Sequence, residues 1–474
     1  MKAVKLTLVM VLLLSLALMG CGKSEDAASS EEGGKVTLTF WNRYPELGEP
    51  FKKLVANFEK ENKDIKVNLV NVSVEAAPAQ YQAAISDNSL PDLFTTVTSV
   101  SLKKLVDLNR VKELDEVLTP EVKEQFIPGT WKANTTTLEE KTYVLPLYSP
   151  NHATYVLYYN KDVLDKYGIS ESDIPKSWDE MEKVGKEIFK KSDGQVHGLI
   201  ASNDNWALTN IINQLATTTN PEVPLDINYK TGKPSFNQQG NIDSIEYMKT
   251  LLDEKVLAPV SLESDESNAT ALFAAGQAAF YMMGNWEGAN LVNQHGFENW
   301  GVSSLPTKDG KPFYHVSGGT ANGIEVSQDT KHWPEVKKFL EYLLENVYSD
   351  VVVAPGITAP AKKDVVENTE VPFPQYKEIS KLMDEGSLPV PSPYENNLET
   401  VEFIETYKGK LSKINLGNVA LGYLTGQVKD LPAELDKINS EANEAFKQVL
   451  GEKQNVKETD FQFADWTPFS VYSK

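Results

Sequence analysis

Three short stretches set a tryptophan among amide or charged side chains: Trp41-Asn42-Arg43-Tyr44, Asp204-Asn205-Trp206 and Asn285-Trp286-Glu287. A flat ring excludes water from an apolar ligand face. Amide and charged groups hydrogen-bond hydroxyls, at about 1.5–3 kcal/mol net where a charge is involved. The mixture suits noncovalent capture of a polyol. Groups for covalent or metal chemistry are not arranged for it. His152, His197, His295, His315 and His332 show neither H-E-x-x-H nor another metal-ligand spacing. No G-x-S-x-G elbow and no G-x-x-x-x-G-K-[ST] loop occurs. With 67 acidic residues, some pair would suit glycoside hydrolysis by chance, so composition cannot decide that chemistry. The chain reads as a binder and not an enzyme, with no cofactor and no metal site.

A chain of 474 residues exceeds one ordinary core and suits two large lobes. Lys and Arg total 46 against 67 Asp and Glu, a formal charge of -21. That sign disfavours nucleic acid and anionic lipid, both of which select basic surfaces. Lys2 and Lys5 precede an apolar run, Leu6 to Met19, broken only by Thr7 and Ser15. The run is short for a membrane span, which takes about 20 apolar residues, and right for a signal peptide. It closes on Leu18-Met19-Gly20-Cys21, which resembles a bacterial lipobox. Residues 1–20 are therefore expected to be removed, leaving Cys21, the only cysteine, as a lipid-bearing first residue. A single cysteine excludes any disulfide within the chain. Residues 21–35, rich in Ser, Ala, Glu and Gly, cannot bury enough apolar surface to order themselves and read as a tether.

Val36 to Phe40 alternates with period two, as does Ile65 to Leu69, and Leu93 to Val97 reads as a third strand. Phe51, Leu54, Val55 and Phe58 recur at helical spacing between the first two, and 78–88 reads as a helix before the third. Strand and helix alternating in this way imply right-handed crossovers onto a mostly parallel sheet. Tyr155 to Tyr159 is a continuous apolar run, as in a strand covered on both faces. Ser177-x-x-Glu180 is a capping box. Helices are predicted at 206–217, 242–253, 269–275 and 287–295, a strand at 278–283, and a helix entered through Pro334. The tail from 433 to 450 reads as helical and mostly solvated. Breaks carrying Pro, Gly and Ser fall near 148–153, 302–315 and 354–362. Residues 36–150 with about 306–358 are expected to form one lobe, and 151–305 with about 359–474 the other.

Several segments in fixed order carry a family resemblance: Phe40-Trp41-Asn42-Arg43; Tyr81 with Pro91-Asp92-Leu93-Phe94; Leu157-Tyr-Tyr-Asn160-Lys161-Asp162; Pro175-Lys-Ser-Trp178-Asp179-Glu180; Leu272-Phe273 through Gly276-Gln277 to Gly284-Asn285-Trp286; Leu305-Pro306; and Gly318-Gly319 before Gly323-Ile324. Over residues 36–345 the chain resembles the bacterial extracellular solute-binding proteins of the maltodextrin-binding type. The resemblance implies a two-lobed, type II periplasmic-binding-protein fold, hinged about a sugar-binding cleft. Its implied partners are a carbohydrate and the permease subunits of an ABC transporter with a separate ATPase. The membrane is reached through the lipid on Cys21, on a Gram-positive-type outer face, and the protein is expected to act as a monomer.

The resemblance also assigns residues. Trp286 matches the tryptophan that stacks on sugar in the family, with Asn285 beside it as a hydroxyl partner. Trp41, Asn42, Arg43 and Tyr44 match a loop that faces the cleft. Asn151 and His152 precede the hinge strand, where Ala153 stands near an expected acid. Trp206 opens a helix where relatives carry an aromatic. Beside these, Asp92 at its turn, Gly318 and Gly319, which allow close backbone approach, and Tyr394, a late aromatic beyond the matched span, complete the candidate ligand-binding set. The same scaffold holding a polyamine or peptide, and a surface glycosidase, stand as alternatives.

Overall fold

The computed structural model describes residues 35–468, apart from 98, 152–153, 224–225, 312–314, 318–321 and 412–414, with the backbone alone at 315–317 and 387–389. The chain opens with β1 (Val36–Asn42), α1 (Gly48–Glu61), β2 (Ile65–Asn71), α2 (Ala77–Asp87), β3 (Leu93–Thr95) and, later, β4 (Val144–Pro146). α1 buries Phe51, Leu54, Val55 and Phe58, the stripe its spacing predicts. α2 stops at Asn88, which takes the left-handed conformation that glycine and asparagine tolerate at a helix end. Next come β5 (Tyr155–Asn160), α3 (Trp178–Lys191), β6 (His197–Ile200), α4 (Asn205–Thr217), α5 (Gln239–Asp253), α6 (Glu266–Ala274), β7 (Ala278–Gly284), α7 (Glu287–Asn293) and β8 (Trp300–Ser303). The chain then returns through β9 (Gly323–Val326) and α8 (Trp333–Val347), and ends in α9 (Gln375–Glu385), α10 (Thr400–Lys410), α11 (Leu416–Leu424) and α12 (Leu431–Glu452).

Two main sheets result. The first has the order β2-β1-β3-β9-β4 and the second β8-β5-β7-β6. In the first, β1 runs parallel to β2 and β3, and β9 runs antiparallel to both its neighbours. In the second, β7 is parallel to β6, while β5 is antiparallel to both β7 and β8. The second sheet is thus mixed rather than mostly parallel. The cause is the path of the chain. Among the described residues no helix separates β5 from the first sheet or β9 from the second, so neither connection shows the helical crossover that returns a chain to the parallel sense. Each crossing strand therefore enters at the end where its new neighbours finish. Those shared ends hold the candidate site.

Packing holds these ends in place. Leu38 and Phe40 face a core that includes Phe51, Phe58 and Phe339, with Phe40 edge-on to Phe51 at 5.1 Å. The opposite face of the same sheet carries Tyr81, Phe94, Val97 and Val144. The second sheet is enclosed on both faces, as the apolar run predicts, with Leu157, Tyr158, Phe280 and Met283 fully buried. Ser177 caps α3 in the predicted box with Glu180. On α3, Gly185 lies against Gly198 of β6, backbone on backbone, which seats the helix directly on the strand. The C-terminal region builds a core of its own from Tyr229, Phe403, Tyr407, Phe446, Phe461 and Trp466. α12, expected to be mostly solvated, buries a full stripe from Leu431 to Val449. No helix among the described residues is long and apolar enough to cross a membrane.

Candidate ligand-binding site

At the carboxyl ends of β1 and β3 the first unit ties its own loops together. Asn42 is almost fully buried. Its Nδ2 donates to the Tyr44 carbonyl and to Asn71 Oδ1, both at 2.9 Å, and its Oδ1 accepts from the Tyr44 N–H at 3.1 Å. Tyr44 hydroxyl meets Thr96 Oγ1 and donates to Asn322 Oδ1, each at 3.0 Å. Burial pushes the Tyr44 pKa up to about 12, so the hydroxyl stays neutral. Arg43 is half-buried. Its backbone N–H donates to Thr95 Oγ1 at 2.9 Å, its Nε donates to the Thr96 carbonyl, and its guanidinium lies 4.4 Å from the Tyr44 ring centroid.

The second unit offers an aromatic ledge where β7 ends. Gly284 removes the side chain that would collide with the Trp286 ring, so the indole folds back over the strand end. Trp286 is half-buried and stands edge-on to Tyr155 at 5.8 Å. Trp206 lies 5.9 Å from it at 35° and remains 43% exposed, one of few large apolar side chains among the described residues that do. The indole N–H of Trp286 donates to Glu266 Oε1 at 2.7 Å. Beside it, fully buried Glu287 accepts from Thr270 Oγ1 at 2.9 Å and from Asn290 Nδ2 at 3.0 Å. Burial, then the Glu266 carboxyl, raises the Glu287 pKa far above the usual range, so Glu287 holds its proton. The hydrogen bond to Glu266 fixes the indole plane.

A cavity of about 320 Å³ lies between the first unit and the C-terminal core. Ligand cavities run from about 300 to 1,000 Å³. Thr96, Lys132 and Glu325 line it from one side, and Asp226, Tyr394 and Tyr407 from the other. Lys132 Nζ donates to the Val390 carbonyl at 3.1 Å, and burial lowers its pKa. Burial raises the Glu325 carboxyl to about 8. It also raises Asp226 to about 6, against the pull of Lys408. Tyr394 is pushed up to about 12, first by burial. Asp226 Oδ1 and the Tyr407 hydroxyl are enclosed without a partner among the described residues. The cavity therefore sets hydroxyl, amide and titratable groups able to donate and accept side by side.

The expected residues fall into distinct places. Tyr394 lines the cavity, alongside Thr96 from the loop after β3. Trp286 and Trp206 meet each other on the ledge. Trp41 is half-buried with its ring 5.5 Å from Tyr81, part of the first unit's packing. Three of the assigned residues make hydrogen bonds within the fold. Asn42 has its amide engaged by Tyr44 and Asn71 and brackets the strand end. Asp92 lies at the opposite end of β3, accepting from Thr39 N–H at 2.8 Å and Thr330 Oγ1 at 2.6 Å, which makes it a brace. Asn285 is 1% exposed, and its Nδ2 donates to the Ile357 carbonyl at 2.9 Å, joining the end of β7 to a crossing segment. Asn151 donates to Asp384 Oδ1 at 3.4 Å. His152, Gly318, Gly319 and Cys21 lie outside the described residues. Glu325, Asp226 and Lys132 were not foreseen. Glu325 carries a trace in sequence as the one acid in the apolar strand Gly-Ile-Glu-Val, but alternation places such a residue on a solvated face. Asp226 and Lys132 sit in loops without pattern.

Among the described residues no cluster of three or more His, Cys, Asp or Glu is placed to hold a metal ion. A profile of the family described as bacterial extracellular solute-binding protein matches residues 44–348, well over half of the chain. The chain belongs to that family. Among relatives of this solute-binding protein, the arabinooligosaccharide-binding protein of Bacillus subtilis strain 168 is 26% identical over 350 residues, covering 71% of this chain and 74% of that one. The melibiose/raffinose/stachyose-binding protein MelE of the same organism is 25% identical over 405 residues, covering 80% and 88%. In fold, the solute-binding protein is similar to the sugar-binding protein MalE from Xanthomonas citri, with a TM-score of 0.64 at 20% identity, covering 89% of this chain and all of that one. The expected two-unit α/β class is thus the observed one.

Proposed function

We propose that this protein is the substrate-binding component of an ABC importer and captures a neutral sugar or oligosaccharide between its two units. The observation that carries the reading is the inter-unit cavity, lined by polar side chains from both sides and by the rings of Tyr229, Tyr394 and Tyr407 from one. The relatives that bind arabinooligosaccharides or melibiose, raffinose and stachyose support the ligand class. Open α/β sheets bind ligands at the carboxyl ends of their strands. Trp286 follows one such end and Thr96 another. In this reading Trp286 and Trp206 cover the apolar face of a sugar ring, and Tyr394 covers another. Arg43, Tyr44, Asn151 and His152 serve hydroxyls at the rim, and Gly318 and Gly319 let the backbone come close. The lobes divide as 36–150 with about 306–358, and 151–305 with about 359–474, and close by a hinge. A polyamine fits less well, because Lys132 and Lys408 line the same cavity as its acids. Catalysis of glycoside hydrolysis has no support in the family.

A thermal-unfolding screen over neutral oligosaccharides, polyamines and peptides tests the ligand class. A sugar at 100 times its dissociation constant is expected to stabilise the fold by about 2.7 kcal/mol. A response to amines or peptides alone would overturn the sugar assignment. Cys21 is the proposed anchor, modified after removal of residues 1–20, and more than one acyl chain makes such anchoring stable. Cys21→Ser is expected to move the protein from the membrane fraction to the medium and to abolish lipid labelling. Equal membrane retention in the variant would reject the anchor. The protein is expected to act as a monomer and to hand its sugar to permease subunits driven by a separate ATPase.

A further inference from the structure

We propose that Glu325 determines specificity in the inter-unit cavity, where its carboxyl group reads a ligand hydroxyl by donating a hydrogen bond to it as well as accepting one from it. The inference deepens the sugar reading above and rests on it. β9 places Ile324 and Val326 in the core of the first unit. Alternation turns Glu325 to the opposite face, between its register neighbours Phe94 on β3 and Val144 on β4. There it is 2% exposed, yet it lines the cavity. Among the described residues no group hydrogen-bonds or ion-pairs with its carboxyl. A buried polar group left without a partner is costly, and the fold keeps this one at the cavity wall.

The surrounding charges do not hold it ionised. Tyr44 and Tyr81 sense Glu325 from the flanking elements, and both are buried and neutral. Arg43 turns to the Thr96 carbonyl and the Tyr44 ring. Lys132 gives its ammonium to the Val390 carbonyl. Across the cavity, Lys408 acts on Asp226, and Tyr394 and Glu405 add no cation. Burial alone raises the Glu325 pKa, so the empty site holds a neutral acid. A neutral acid has one O–H donor and free acceptor capacity, which matches a hydroxyl. An ammonium ligand would instead require the carboxylate.

The test is titration calorimetry of the mature protein with raffinose and with arabinotriose from pH 5.5 to 9. Wild-type affinity is expected to be flat to about pH 7 and to fall roughly tenfold by pH 9 as the acid ionises. Glu325→Gln, which keeps a donor and an acceptor, is expected to bind within about threefold of wild type at pH 6 and to lose the pH dependence. Glu325→Leu is expected to bind at least about tenfold more weakly at pH 6, the loss typical of an unmet hydrogen bond to a ligand hydroxyl. Both variants should unfold at or above the wild-type temperature without sugar, because each removes a buried acid. Wild-type affinity that rises with pH, or Glu325→Leu binding as tightly as wild type, would overturn the role of Glu325 while leaving the sugar reading intact. Failure of wild type to bind either sugar at any pH would sink the sugar reading, and the role of Glu325 with it.

Discussion

Trp286→Ala is expected to weaken sugar binding by at least about 2 kcal/mol, roughly thirtyfold in the dissociation constant. The size follows from how the ring is held. Tyr155 stands edge-on to it, Glu266 accepts from its N–H at 2.7 Å, and Trp206 flanks it at 5.9 Å. A ring fixed before the ligand arrives loses little freedom on binding, and so delivers most of its contact energy. Glu266→Ala should give a smaller loss, because it frees the indole without removing it. Calorimetric titration of both variants checks the order of the effects. An unchanged dissociation constant for Trp286→Ala would remove the ledge from the site.

Fold stability is expected to fall as pH rises from about 4.5 to about 8. Glu325 has an ordinary value of 4.5 and is raised by burial to about 8 in the folded chain. Below 4.5 both states hold the proton, and the group contributes nothing. Between the two values the unfolded chain has released the proton and the native chain keeps it. Each step upward in pH therefore favours unfolding, and the loss is complete above the folded value. Across that window the effect amounts to several kcal/mol. Glu287, pushed up by burial and by Glu266, acts in the same direction. Carboxyls held low act in the opposite direction only at acid pH, as at Asp115, where desolvation is outweighed by the hydrogen bonds from Lys123 and Thr142 together, and at Glu171, where the hydrogen bond from Lys161 leads. Denaturant unfolding of the ligand-free protein at pH 5.5 and 8.5 measures the fall, and Glu325→Gln should reduce it. Equal stability at both values would contradict a buried neutral acid at 325.

Much of the architecture is legible in the residues because it rests on local periodicity. The alternation in β1 and the stripe Phe51, Leu54, Val55, Phe58 each report one buried face, and one face is all that such a pattern encodes. Strand direction in the second sheet is not local. Tyr155 to Tyr159 reads as a buried strand whichever way it runs, and only the absence of a crossover helix before it turns β5 against its neighbours. The solvated reading of α12 missed its partner surface, which comes from Tyr229 far upstream and from Phe403, Tyr407, Phe461 and Trp466 on either side of the helix. The site shows the same limit. Trp286 is recognisable because Gly284 and the strand before it form a continuous signal. Asn42, Asp92 and Asn285 look like ligand groups at strand ends, but their hydrogen bonds go to Asn71, Thr39 and Ile357, partners 29 to 72 residues away. Glu325 is hidden for the converse reason, since a strand acid that normally faces water here faces an enclosed cavity.

The central claim concerns where a sugar sits, and a crystal structure of the mature protein with raffinose tests it most directly. The expected density lies between the two units, with one ring over Trp286 and hydroxyls within hydrogen-bond reach of the groups around Thr96, Glu325 and Tyr394. Raffinose bound on an outer face, with both the tryptophan ledge and the inter-unit cavity empty, would contradict it.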